Sequence, residues 1–392
     1  MNEWKTVRLG DVCEQINGVS YKPADVRDSL TNESCTLLRA NNIFEDKLNY
    51  DELVFVDKKR VSNNQYMKKG DILICASSGS KHLVGKAACL LEDKELTFGA
   101  FCKVIRADSI QYDYLKHYFF SPTYRSVISH LSEGANINNI KAENLENLQI
   151  PLPPIETQKQ IASTLDKCTS VIEKHKKMLQ KYDTLIKSRF IEMFGENPVE
   201  NGKWKVMKLN TISDVRDGTH DSPVFITEGY PLVTSQNLSP FYINQKDTNK
   251  ISKSDYEKIN ERSLVETNDI LMSMIGTVGN VSLVTDEKVT FAIKNVALLK
   301  TSKTTEYRNW VLCFLKSSNF TTWLNETLTG STQQYVSLGE IRKISLKIPT
   351  INELNKFNLA TNRIINMIIK ETAELVKLQE LKQLVISRIS GM

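Results

Sequence analysis

The chain is poor in the residues and runs that would mark a metalloprotein, a membrane protein or a secreted scaffold. Its seven cysteines, at 13, 35, 75, 89, 102, 168 and 313, form no CxxC pair and sit mostly among apolar neighbours. That excludes a zinc ribbon or a disulfide framework and predicts reduced core thiols. The five histidines, at 82, 117, 130, 175 and 220, show no HxxxH spacing, so no metal ligand set is expected. No apolar run approaches the ~18 residues of a membrane span. The first residues, MNEWKTVRLGDV, lack an apolar signal core, and the expectation is a soluble cytoplasmic protein with no membrane partner. Charge is close to balance, 51 Lys+Arg against 46 Asp+Glu for a net +5, which permits an anionic partner without demanding one.

Enzyme motifs are equally scarce. The stretch GDILICASSGSKHLVGKAACL at 70–90 suggests a phosphate-binding loop, but five residues separate Gly79 from Gly85 and Ala87 follows Lys86. A P-loop needs four, and then a hydroxyl for Mg²⁺. An adenine methyltransferase needs an Asn/Asp-Pro-Pro-Tyr/Phe tetrad around the flipped base. The Pro-Pro present is Leu152-Pro153-Pro154-Ile155, which has neither the polar nor the aromatic flank. Glu92-Asp93-Lys94 and Asp286-Glu287-Lys288 imitate the tail of a PD…(D/E)xK nuclease. Neither has an upstream Pro-Asp, and both read better as charged hairpin turns.

What the chain does have is an internal repeat at an offset near 200. EWKTVRLGDV at 3–12 faces KWKVMKLNTI at 203–212, and LLRANNI at 37–43 faces LVTSQNL at 232–238. GDILICAS at 70–77 faces NDILMSMI at 268–275, GKAACL at 85–90 faces GNVSLV at 279–284, and LTF at 96–98 faces VTF at 289–291. NLENLQIPLPPI at 144–155 faces EIRKISLKIPTI at 340–351. Each unit begins with short alternating apolar runs (ELVFV, DILICA, AFCKVI) broken by Gly, Asn and Ser, as strands require. A helix near 112–131 should bend or split at Pro122.

After Pro151, Pro153 and Pro154 the pattern becomes helical, with Glu156 in the first turn. Ile161, Leu165, Cys168, Ile172, His175, Leu179, Tyr182, Ile186 and Met193 recur at spacings of three and four, interrupted by Arg189, up to Gly195. A second such helix follows Pro349 through Phe357, Ile364, Ile368, Leu375, Leu378, Val385 and Ile389. These seams must bury each other, His175 among them as a packed residue. Chain connectivity makes the helices antiparallel, with one mixed domain at each end. The fold class is therefore α+β: two mixed α/β domains separated by two long antiparallel coiled-coil helices, related by a pseudo-two-fold repeat.

Two related heads on a spacer suit a partner with two separated sites, and duplex DNA read in half-sites is the obvious one. The head loops agree, being dense in side chains that bond base edges and phosphates. In the first half these are Ser77, Ser78, Ser80, Lys81, His82 and Lys86, with Asn136, Asn138, Asn139 and Lys141. In the second they are Thr219, His220, Asp221, Ser235, Gln236, Asn237, Thr277, Asn280, Ser331, Thr332, Gln333, Gln334 and Tyr335. Lys81 and Lys86 suit the phosphates of a DNA backbone, and His220 is the histidine expected to face DNA. A scaffold using its coiled coil alone would leave two polar-looped heads unexplained.

The phrases WKVMKLNTISDVRDGTHDSP, YPLVTSQNL, NDILMSMIGTVGNVSLV, GSTQQYVSLGEIRKISLKIP, SSGSKHLVGKAA and IPLPPIETQKQIASTLD followed by KSRFIEMFG resemble the specificity subunit of type I restriction–modification enzymes over essentially the whole chain. That resemblance implies a target-recognition domain at 1–153, a spacer helix at 154–195, a second recognition domain at 196–349 and a second spacer helix at 350–392. Each head would read one part of a bipartite, asymmetric double-stranded DNA site. The subunit would do no chemistry and bind no cofactor. It would recruit two adenine-N6 methyltransferase subunits that use S-adenosylmethionine, docking along the helices and the Ile155–Asp166 segment, and two restriction/translocase subunits that use ATP and Mg²⁺.

Overall fold

A computed structural model describes residues 4–44, 46–80, 83–133, 139–195, 204–240, 243–245, 248–328 and 335–389. The chain divides into two compact units, residues 1–172 with 377–392, and residues 173–376.

The first unit is built on a strand that is apolar on both faces. All four residues of Ile72–Cys75 are buried, and its side chains alternate between two cores, as the period of two in a strand requires. Ile72 and Ile74 enter a cluster with Tyr114, Leu115 and Leu148, while Leu73 and Cys75 enter one with Leu38, Leu96 and Phe98. The sheet runs Cys13–Asn17, Cys102–Ala107, Ile72–Cys75, Ala87–Cys89, antiparallel throughout. A second sheet, Leu96–Phe98, Ser34–Leu38, Val54–Asp57, Val26–Arg27, carries one parallel pair. The sheets share the second core, and helices cover the first.

The second unit repeats this plan by itself. Val215–Asp217, Val296–Leu299, Ile270–Ser273 and Val281–Leu283 form its antiparallel sheet. Asn249–Ile251, Tyr230–Val233 and Ala292–Ile293 form the mixed one. Ile270 and Met272 again face one core and Leu271 the other. Both units fix the turn before the central strand with a buried acid. Asp71 accepts from the Lys68 amide at 2.8 Å and pairs with Arg106 at 2.7 Å. Asp269 accepts from the Glu266 amide at 2.7 Å and pairs with Lys300 at 2.5 Å.

The charged runs at 92–94 and 286–288 are not hairpin turns. Ala87–Cys89 and Leu96–Phe98 belong to different sheets, as do Val281–Leu283 and Ala292–Ile293, so each run is a crossover between sheets. Lys94 pairs with Glu92 at 3.2 Å and lies 4.4 Å over the Tyr50 ring. Asp286 accepts from Gln245 at 2.7 Å, and burial raises its pKa.

The helix expected near 112–131 is split at Pro122 into Tyr112–Phe119 and Pro122–Glu133. Proline has no amide to lose in a first turn, and Ser121 Oγ accepts from the Tyr124 amide at 3.1 Å. Five cysteines are buried and two half-buried, all as free thiols. Burial pushes the Cys13, Cys89, Cys102 and Cys313 thiols up to about 12, which keeps them protonated and inert.

The two long helices are Ile155–Phe194 and Ile351–Ile389, each about 60 Å at 1.5 Å per residue. Gln158, buried, closes the first turn of one by donating to Pro153 O at 2.8 Å. Glu353 closes the other by accepting from the Thr350 amide at 2.8 Å and from Trp204 Nε1 at 3.0 Å. Gly195, at φ +82°, ends the first. In the first unit Leu165 shares a core with Ile386. In the second, His175 meets Glu371 at 2.5 Å while the Phe190 and Phe194 rings lie 6.1 and 5.1 Å from Phe357. Rising numbers on one helix meet falling numbers on the other, so within that unit they are antiparallel.

The predicted seam residues Ile161, Leu165, Ile172, Leu179, Tyr182, Ile186, Phe357, Ile364, Ile368, Leu375, Leu378 and Val385 are all buried or half-buried. The seam does not continue through Arg189, however. Arg189 is exposed and bonds Glu192 at 2.6 Å. Beyond Ile186 the buried positions step by four, to Phe190 and Phe194, because a straight α-helix drifts off a seven-residue repeat and the head core claims that face. His175 is half-buried on the seam and meets Glu371 at 2.5 Å.

Candidate nucleic-acid interface

In each unit several loops meet at one end of the antiparallel sheet. In the first, the close contact of two backbones dictates a glycine. Val19 bridges Gly99, and a Cβ on Gly18 would lie 2.1 Å from Gly99 O. The next residues carry the rim onward. Phe101 O accepts from the Ala76 and Ser77 amides at 2.9 and 3.0 Å, and Ser77 bridges Asn139. The second unit has the same joints: Thr219 bridges Lys294, a Cβ on Gly218 would lie 2.2 Å from Ile293 O, and Ile275 bridges Tyr335.

The loop at 76–86 is closed by Gly85 N to Cys75 O at 2.8 Å and Cys75 N to Lys86 O at 2.9 Å. Its counterpart is closed by Gly279 N to Ser273 O at 3.0 Å and Ser273 N to Asn280 O at 2.9 Å. Gly85 and Gly279 have φ +78° and +88°, and a Cβ on either would meet Ile128 or Leu324 at 2.5 Å. These glycines are conserved between the halves for backbone geometry and helix packing, not for phosphate binding. Nine residues, 76–84, lie inside the first closure and five, 274–278, inside the second. One frame thus displays different loops.

The predicted residues fall into three groups. Ser80, Asn139, Lys141, His220, Asp221, Gln236, Thr277 and Tyr335 are exposed, and Ser77, Ser78, Lys86, Thr219 and Asn280 are half-buried. Thr219 Oγ1 caps the Asp221 amide at 3.1 Å. Ser235 and Asn237, by contrast, are buried. Asn237 Oδ1 accepts from the Thr234 amide at 2.9 Å, as Asn42 Oδ1 accepts from the Arg39 amide at 2.8 Å in the other half, and Ser235 Oγ donates to Asn295 O at 3.3 Å. These two hold a turn, and the expectation that they face a ligand is corrected. Lys81, His82, Asn136, Asn138, Ser331, Thr332, Gln333 and Gln334 lie outside the described residues.

His220 is 55% exposed, yet both ring nitrogens are engaged, Nε2 with Asp217 Oδ2 and Nδ1 with Asn295 Oδ1, each at 2.8 Å. It offers a ring face to a partner, not a spare nitrogen. Sequence reasoning missed Asp217 and Asn295, and also Asn17, Lys103 and Phe101. The signal for the first was available, since Asn17-Gly18 and Asp217-Gly218 stand 200 residues apart. Phe101, 72% exposed, lies on the rim beside Ser77.

Among the described residues, one His/Cys/Asp/Glu group brings its ligand atoms within 4.8 Å of one another, His175 with Glu371 and Glu374. It lies on the long helices. No described helix is long and apolar enough to cross a membrane.

A family model described as the type I restriction modification DNA specificity domain matches residues 1–181 and again residues 201–384. The chain belongs to this family. It is a specificity subunit, which recognises DNA and is non-catalytic, the catalytic activities of the complex residing in partner subunits. It is 29% identical over 374 residues to the EcoKI specificity subunit of Escherichia coli K12, covering 89% of this chain and 79% of that one. It is 38% identical over 185 residues to the StySPI specificity subunit of Salmonella potsdam, covering 47% and 40% of the two chains. The crystal structure of the S subunit from M. genitalium shares the fold, with a TM-score of 0.50 at 14% identity over 98% of this chain and 96% of that one.

Proposed function

We propose that each head reads one part of a bipartite, asymmetric duplex, using the rim of loops just described, and that the long helices set the unread gap. The observation that carries this reading is the repeated rim, in which identical backbone joints present different side chains in the two heads. Different side chains on one frame suit two different half-sites. In this reading the recognition domains are 1–153 and 196–349, and the spacer helices are 154–195 and 350–392.

The complex would contain two adenine methyltransferase subunits using S-adenosylmethionine, docked along the helices and the Ile155–Asp166 segment. Two restriction/translocase subunits using ATP and Mg²⁺ would complete it, all in the cytoplasm. The exposed Ser80, Asn139, Lys141, Asp221, Gln236, Thr277 and Tyr335, with Lys86, would contact bases or phosphates. The test replaces His220, Gln333 and Gln334 together with alanine. Specific DNA binding should be abolished while the subunit still assembles with its methyltransferase. Unchanged methylation of the cognate site by the triple variant would sink the assignment of these loops.

A further inference from the structure

At the joint that begins each rim, one position anchors a cation, and the cation differs between the heads. Asn17 Oδ1 accepts from Lys103 Nζ at 2.6 Å. Its counterpart Asp217, whose side chain is 8% exposed, holds both His220 Nε2 and Arg262 Nη2. Lys103 comes from the strand Cys102–Ala107. Arg262 comes from the last turn of the helix Lys253–Ser263, an interval where the first head has two 3-10 turns, Lys58–Arg60 and Asn63–Gln65.

An ordinary surface ion pair is the plain alternative for Arg262, and such pairs contribute little. Three observations argue for more. The acid is almost wholly buried, so its position is fixed by the fold, while the Arg262 side chain remains 66% exposed. A guanidinium has five donors, and contact with one carboxylate leaves others for a ligand. Third, a cleft of about 280 Å³ opens beside it, lined by Thr219, Asp221, Ser222, Lys258 and Arg262, large enough to admit a base edge or a phosphate.

We propose that Arg262, positioned by Asp217, is a specificity-determining DNA contact of the second head. The inference rests on the DNA-reading role proposed above. Bidentate Arg recognition of guanine or of phosphate needs the planar fork held in place, and the ion pair of Nη2 with the buried Asp217 carboxylate anchors one end of that fork. His220, braced by the same carboxylate and by Asn295, completes a rigid edge beside it. In the first head, Asn17 and Lys103 make the simpler version, a point charge on a neutral anchor.

The test uses the full-length chain co-purified with its methyltransferase. Three duplexes serve as probes: the motif mapped from N6-methyladenine in the DNA of cells expressing the wild-type pair, and the same duplex with one or the other half replaced. Wild-type binding should weaken with either replacement. R262A should bind the intact motif about 10- to 100-fold more weakly, and replacing one half should then cost it less than it costs the wild type by about that factor, while replacing the other still costs the full wild-type factor. R262K should fall between, and D217N should show the same one-sided loss. R262A retaining wild-type discrimination at both halves would overturn the proposal. So would an equal weakening on all three duplexes, which is what a merely structural role predicts. A wild-type complex that cannot distinguish the three duplexes overturns the DNA-reading role itself, before any variant is compared.

Discussion

Where the first long helix docks on its head, Asp166 meets a buried lysine and a buried histidine, accepting from Lys116 Nζ at 3.0 Å and meeting His117 Nε2 at 3.0 Å. His117 is 3% exposed. Burial above all, with Lys116 and Lys382 assisting and Asp166 opposing, lowers its pKa from 6.5 to about 4. Between those values the unfolded chain binds a proton that the folded chain refuses. Stability is therefore fully present above about pH 6.5 and is lost as pH falls toward 4. A displacement of that size corresponds to about 3 kcal/mol at 1.36 kcal/mol per unit. For a unit of this size that is roughly 6–12 °C in melting temperature. Calorimetry of the full chain between pH 7.5 and 4.5, wild type against H117Q, reads it. The variant cannot take up the proton, so the difference between the two should close by that amount as the pH falls. Parallel pH profiles for both proteins would refute the assignment.

Three further outcomes are expected. Alanine at Gly218 would drive its Cβ to 2.2 Å from Ile293 O, an overpacking worth about 1–3 kcal/mol; G218A should blur one half of the methylated motif and G18A the other, while G79A, with nothing within 4 Å of its Cβ, changes neither. D269N leaves Lys300, 2% exposed, with the half-exposed Glu266 as its remaining acid, and urea unfolding should show a loss of about 1–3 kcal/mol; no loss at all contradicts the pairing. Inserting four residues into each long helix should lengthen the unread gap by about two base pairs, from 1.5 Å per residue against 3.4 Å per base pair, and altered half-sites would contradict the spacer role.

The repeat made most of the fold legible. Apolar blocks such as GDILICAS and NDILMSMI identify the central strand of each head because a strand buried on both faces reads as a continuous apolar run. The helix limits were equally plain, since Pro154 and Gly195 are strong boundary signals and the observed helix is Ile155–Phe194. The crossovers at 92–94 and 286–288 were misread because a charged turn looks the same whether its strands pair with each other or with different sheets. Asn237 and Ser235 misled for a related reason. Asparagine and serine bond backbone as readily as a ligand, and only burial tells which. Arg262 was invisible because its meaning depends on Asp217, 45 positions earlier in the chain.

Two different heads on one chain are proposed to read two different halves of a single DNA site. Sequencing methylated adenines in cells that express this chain with its methyltransferase tests this directly. One asymmetric motif in two parts with a fixed unread gap is predicted, with R262A altering one part alone. A contiguous or symmetric motif, or methylation that persists unchanged without the chain, would contradict it.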